Sequence, residues 1–117
     1  MQYQVLLVVS ALVLACLTTS GTFAVEDCEA SWYEKGHTTA SGLPFNPGDA
    51  RIAAHKSLPF GTEVLVTNLE NGKQLRTVIR DRGPFVAGRC IDVTRVGADT
   101  LGFRDAGVTN VRVTVPD

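Results

Sequence analysis

Few side chains in this sequence can do covalent or acid–base work, and their spacing excludes several chemistries at once. Cys90, His55 and Asp81 have the residue types of a cysteine-protease triad. Attack needs a thiolate, however, and a Cys90 paired with Cys28 has none to offer. His37 and His55 stand at no metal-ligand spacing from another His or Cys, so no metal is expected, and no cofactor. No glycine-rich loop opens a helix to cradle phosphate. Asp81 closes a strand-like run just before Arg82-Gly83-Pro84. An Asp in that place can cap its own turn; at a strand end beside a loop it can also act as an acid–base group. Trp32 and Tyr33 could stack on sugar rings, but strand neighbours face opposite ways, so one of the two belongs to the core.

Charge narrows the partners. The chain carries 11 Lys/Arg and 12 Asp/Glu, a net charge of −1, so no global basic field argues for nucleic acid. Glu26, Asp27, Glu29 and Glu34 crowd together early, and Arg76, Arg80, Arg82, Arg89 and Arg95 follow later. That second group is either a solvated face or a surface for an anionic polymer.

The first residues address the chain rather than shape it. Val5 to Leu17 is an apolar run broken only by Ser10. It falls short of the roughly 20 residues a membrane-spanning helix needs. It fits the apolar core of a secretory signal peptide, and Thr22-Phe23-Ala24 fits a cleavage site. Residues 1–24 are therefore expected to be a signal peptide. Residues 25–117 then form one domain, and 117 − 24 = 93 residues remain in it. That length excludes a two-domain enzyme, a Rossmann dehydrogenase and a kinase. Cleavage removes Cys16 and leaves an even pair, Cys28 and Cys90, which in an exported domain reads as a disulfide. A lipid anchor on Cys16 is the less favoured alternative, because Leu14 is large where a lipobox has a small residue. The product is expected to be a monomer in the periplasm or outside the cell, without a membrane span.

The elements that must position these residues are short. Ser31-Trp32-Tyr33 is strand-like by its aromatics, and Val25 to Ala30 reads as an acidic lead-in. Residues 34–49 are loop, and Ile52 to His55 is a short strand. Glu63–Asn68 and Lys73–Arg80 flank Asn71-Gly72, which suits a type I′ hairpin turn with both central residues at positive φ. In the second arm Leu75, Thr77 and Ile79 share a face. Cys90 to Val93 is a short buried strand. Thr94 reads as the N-cap of a helix from Arg95 to Leu101, with Gly102 as its C-terminal stop; Gly97 weakens it. Val111, Val113 and Val115 alternate in a last strand. So many short strands point to a small closed barrel, mostly β, with one short helix.

Motifs along the chain then join up. Ala30-Ser31-Trp32-Tyr33, Thr39-Ala40-Ser41-Gly42, Ala53-Ala54-His55, Leu58-Pro59-Phe60-Gly61-Thr62, Val66-Thr67-Asn68, Asp81-Arg82-Gly83-Pro84-Phe85, Gly88-Arg89, Ile91-Asp92 and the closing 107–115 segment stand in order. Together they resemble the rare lipoprotein A (RlpA) family over nearly the whole of 25–117. The resemblance implies a six-stranded double-psi β-barrel. It implies an endolytic lytic transglycosylase acting on peptidoglycan glycan strands, with a preference for strands free of stem peptides. Such an enzyme breaks the bond after N-acetylmuramic acid without water, leaving a 1,6-anhydro ring. By the resemblance Asp81 and His55 are the catalytic pair; read from the residues alone, His55 could equally be a buried histidine hydrogen-bonded to a backbone carbonyl. Arg82 holds Asp81, meets a sugar carboxylate or forms a surface ion pair, and Trp32 and Tyr33 contact substrate.

Two positions depart from the family. Leu43 stands where an acidic residue normally follows Thr39-Ala40-Ser41-Gly42, and Asn46 where an Asp is frequent. Chemistry then rests on Asp81 alone or on a carboxylate brought in from elsewhere; Asp49 is the nearest in sequence. Two other functions stay open: a non-catalytic module gripping wall glycan through Trp32, Tyr33 and arginines, and a small secreted protease inhibitor.

Overall fold

Alternating apolar residues on six strands are buried by closing the strands on one another. The computed structural model describes residues 24–34 and 38–116. Residues 1–23 of the expected signal segment, Cys16 among them, and His37 lie outside the described residues. The strands are β1 (Ala24–Tyr33), β2 (Ala53–His55), β3 (Glu63–Asn68), β4 (Gln74–Asp81), β5 (Arg89–Thr94) and β6 (Val108–Val115), with helix α1 (Arg95–Leu101) between β5 and β6. Around the closed barrel the order is β1-β5-β2-β4-β3-β6. The pairs β1/β5 and β2/β4 are parallel, and the other four are antiparallel. Among the described residues, the expected mostly-β barrel with one helix is the observed fold.

Inside it, Val64 and Val66 of β3, Ile79 of β4, Ile91 and Val93 of β5 and Val111 and Val113 of β6 meet in one core, with Leu101 and Phe103 beside them. Each such side chain contributes about 1.5–3 kcal/mol on burial. The helix sits where the sequence puts it. Thr94 accepts a hydrogen bond from Gly97 N, and Gly102 ends the helix in the left-handed region. Gly97 is there for packing: a Cβ would stand 3.0 Å from that of Val93 and 3.3 Å from Leu75 Cδ2. A side chain there would require Val93 or Leu75 to give way by a few tenths of an ångström.

Two local expectations are corrected. Residues 25–30 are no lead-in but the first half of β1, paired with β6 from Ala24↔Val115 to Ser31↔Val108. Their acidic side chains are solvent-exposed, with Glu26 also reaching the buried His55, and a long partner strand overrides weak strand propensity. The β3–β4 turn is not type I′. No residue but glycine has positive φ among the described residues, so Asn71 lacks it, and Gly72 alone has it, at 77°. Gly72 N donates to Asn68 O, closing a four-residue connection. The reason lies in the helix end. Asn68 Nδ2 and Asn71 Nδ2 both donate to Leu101 O, at 2.8 and 2.9 Å. The turn is shaped to cap α1 as well as to join two strands.

Cys28 and Cys90 are disulfide-bonded, with Cα atoms 5.9 Å apart and a sequence separation of 62. Replacing both with Ala is expected to lower unfolding free energy by up to about 4 kcal/mol in urea titrations, the loop-entropy value for such a span. The Thr77 hydroxyl is buried without a hydrogen-bond partner. Thr77→Val should therefore raise stability by about 1 kcal/mol, since a lone buried polar group costs more than the isosteric methyl; a lower urea midpoint would contradict this.

Candidate active site

The shortest strand positions the chemistry. β2 lies between β5 and β4, and its middle residue, Ala54, is in register with Asp92 on one side and Asp81 on the other. On β5, Ile91 and Val93 are in the core, so Asp92 between them faces outward. On the β4 side a register shift intervenes: Ala53 pairs with Ile79, but Ala54 pairs with Asp81. The bulge passes over Arg80 and brings a carboxylate beside Ala54 in place of a guanidinium.

Asp81 meets donors on both oxygens. Oδ1 accepts from Ala40 N at 2.8 Å and from Arg82 N at 2.9 Å, and Oδ2 accepts from Tyr33 O–H at 3.3 Å. The loop at 38–44 supplies the first of these. It is pinned by Ser41 N donating to Arg80 O at 3.0 Å and by a Thr38–Pro44 bridge. Tyr33 is half-buried and stacks on Phe45 with ring centroids 4.5 Å apart. Burial, the Asp81 charge and hydrogen bond, and the Asp92 charge all push its phenol up, so it stays a donor. Asp92 is bonded to the Ser31 hydroxyl, its register neighbour on β1. Burial pushes its carboxyl above the ordinary range; the Ser31 bond and Arg89 pull down, and the Asp81 charge pushes up again.

His55 is turned away from this face, as strand alternation requires of the neighbour of Ala54. It is buried at 6% exposure. Nδ1 accepts from Ser57 N and Leu58 N, both at 3.1 Å, which leaves Nε2 to donate to Glu26 Oε1 at 3.0 Å. No hydrogen bond joins it to Asp81. With Val25, Leu58, Val113 and Val115 it lines a cavity of about 180 Å³ at the barrel mouth. Arg82 is bound to protein: Nη1 donates to His55 O at 3.2 Å and Leu58 O at 2.9 Å, and the guanidinium lies 4.1 Å above the Phe60 ring. Trp32 packs on the core, and its indole N–H donates to Arg104 O at 3.1 Å. Of the aromatic pair, only Tyr33 reaches the carboxylates.

None of the loop residues Leu43, Asn46 and Asp49 has a side-chain hydrogen bond to Asp81. Leu43 holds the loop through its carbonyl, which accepts from Thr39 N and Thr39 Oγ1, and its side chain is 44% exposed. Asn46 and Asp49 close their own turns, accepting from Gly48 N and Arg51 N. Two of the clustered arginines are paired with acids: Arg76 with Glu63 and Arg95 with Glu34. Glu26, Cys28 and Cys90 bring possible ligand atoms together, but the two sulfurs are bonded to each other. The residue that sequence reasoning passed over is Asp92. Its signal was there: an acid inside the buried run Cys90-Ile91-Asp92-Val93, where charge needs a reason.

A family described as lytic transglycolase matches residues 25–113. A probable endolytic peptidoglycan transglycosylase RlpA of Synechocystis sp. is 47% identical over 89 residues, covering 74% of this chain and 27% of the relative. Its namesake in Treponema pallidum is 44% identical over 100 residues, covering 83% and 31%. The chain thus spans about a quarter to a third of the length of these curated relatives. Among solved structures, a Streptomyces papain inhibitor superposes with a TM-score of 0.65 at 21% identity, covering 79% of this chain and 94% of that one. An expansin of Clavibacter michiganensis gives 0.63 at 24%, covering 80% and 52%. These likenesses show the fold, a double-psi barrel.

The environment of Asp92 predicts a pH dependence of stability. Its folded carboxyl titrates above the ordinary 3.8. As pH rises through the window between the two values, the native state keeps a proton that the unfolded chain has lost, and stability falls. Asp92→Asn removes that fall. Its melting temperature should exceed that of the unsubstituted protein at pH 7 and approach it at pH 3; the reverse pattern would contradict the assignment.

Proposed function

The chain belongs to the lytic transglycolase family, and on that premise we propose that it is an exported endolytic peptidoglycan transglycosylase that cuts glycan strands, peptide-free ones in preference. The observation that carries this reading is the Asp81 carboxylate, held at the end of β4 on the outer face of the barrel by two amides and a phenol. In the reaction the C6 hydroxyl of the muramic residue attacks C1 of the same sugar. The glycosidic oxygen leaves with its electron pair and must take up a proton; the hydroxyl must lose one. Water is not consumed, and a single carboxyl can in principle perform both transfers in turn. Asp81 is the group on which the step turns.

The other residues act around it. Tyr33 holds Asp81 from the side and, stacked on Phe45, has no ring face left on that side for sugar. His55 is a positioning residue. It orders the Ser57–Leu58 turn, whose Leu58 carbonyl anchors Arg82, the residue that follows Asp81. The apolar run Val5–Leu17 supports export, and no helix among the described residues is long and apolar enough to cross a membrane.

A second reading, a glycan-binding module without catalysis, is favoured by the exposed Leu43 in the place of the family's acid. Digestion of purified peptide-free strands separates the two. Mass spectrometry should find 1,6-anhydro-muramoyl ends with the unsubstituted chain. Asp81→Asn should lower their rate of formation by ~10²–10⁴, the range for losing an acid–base group, while strand pull-down is retained. Strands retained but never cut by the unsubstituted chain would establish the binding module instead.

A further inference from the structure

Asp81 and Asp92 flank a single methyl group. Two strand spacings, about 9.5 Å, separate their backbones, and Ala54 between them puts only a methyl group on that face. We infer that Asp92 is the second carboxyl of the site: it delivers the proton to the leaving oxygen, and Asp81 takes the proton of the attacking hydroxyl. This assignment rests on the transglycosylase reading.

Two features of the geometry separate the two roles. Asp81 has donors on both oxygens, the surroundings of a carboxylate that accepts. Asp92 is bonded by Ser31 through Oδ1, and among the described residues Oδ2 accepts nothing, so one oxygen is free to carry a proton outward. Pairs of carboxyls that cleave glycosidic bonds stand roughly 5–10 Å apart, a span that side chains one strand removed from each other readily meet. Their fields also overlap. The Tyr33 phenol is pushed up by both charges, and Asp92 is pushed up by burial and by Asp81, as suits the group that must hold a proton. Leu43 is then no defect, because the acid is supplied from β5.

The step balances. The proton on Asp92 Oδ2 passes to the glycosidic oxygen as the C1–O bond breaks and its pair goes to that oxygen. The C6 oxygen bonds to C1, and its proton passes to Asp81. Exchange with solvent then removes the proton from Asp81 and returns one to Asp92.

An aryl leaving group needs little protonation, and this makes the assignment testable. The full chain, Asp92→Asn and Asp81→Asn are compared on peptide-free strands and on a muramoyl oligomer bearing 4-methylumbelliferone at its reducing end. Asp92→Asn should lose ~10² or more on strands but less than about tenfold on the aryl substrate, whereas Asp81→Asn should lose heavily on both. Leu43→Glu should leave turnover of strands within a few-fold of the unsubstituted chain. Equal losses by Asp92→Asn on both substrates would reduce Asp92 to a structural residue. Undiminished cutting by Asp92→Asn would overturn the assignment and leave the transglycosylase reading standing. If the unsubstituted chain cuts neither substrate, that reading falls and the assignment falls with it.

Discussion

The register of a three-residue strand is the constraint on which the site depends. β2 has a parallel neighbour on one edge and an antiparallel neighbour on the other, so it cannot slide to suit one without losing the other. A slip of one residue would turn Ala54 into the core and bring His55 to the outer face. The bulge at Arg80 is part of the same constraint. Without it the residue beside Ala54 would be an arginine, and a cation would sit where the chemistry needs an acid. The barrel's closure supplies the rigidity: every strand has two partners, so no edge is free to fray.

Polar contacts on the inner side of β2 hold what the outer side uses. His55, Glu26, the Ser57–Leu58 turn, Arg82 and Phe60 form a chain of contacts ending one residue after Asp81. A buried histidine with both ring nitrogens engaged has little freedom to rotate, and it transmits that order to the backbone it caps. The same argument covers Asn68, whose side chain joins the β3–β4 turn to the end of α1 and to Thr109 of β6. Loops in this fold are tied down by side chains placed for the purpose rather than by their own propensity.

The fold was largely legible, because valine alternation, the Asn-Gly connection and the Thr94 cap are local signals. The first half of β1 was not, because Glu26, Asp27 and Glu29 give no strand pattern until β6 is present to pair with them. The turn type was not either: Asn71 answers to Leu101, thirty residues away, and no local rule contains that. In the site, Asp81 was visible as an acid before Gly-Pro. The loop from Thr38 to Pro44 was visible as a motif but not as a donor of the Ala40 amide. Trp32 and Tyr33 could be sorted into core and surface only in the form that one of each was expected. The paired role of Asp92 depends on which strand lies between β5 and β4, and that is a property of barrel topology, beyond any spacing in the sequence.

Loss of an acid at residue 43 is understandable in these terms. A loop residue reaches the site only if its loop holds a fixed conformation, and the 38–44 segment is held by backbone contacts from Thr39, Ser41 and Leu43 that any side chain at 43 would permit. Asp92, by contrast, sits on a strand bonded on both sides, with its oxygen fixed by Ser31. Groups on strands are placed more accurately than groups on loops, and proton transfer is sensitive to misplacement on the scale of one ångström. The cost is a partly buried carboxyl whose ionisation destabilises the fold at neutral pH. A protein keeps such a group where it serves chemistry, since an asparagine in its place would satisfy Ser31 equally well and leave the barrel more stable.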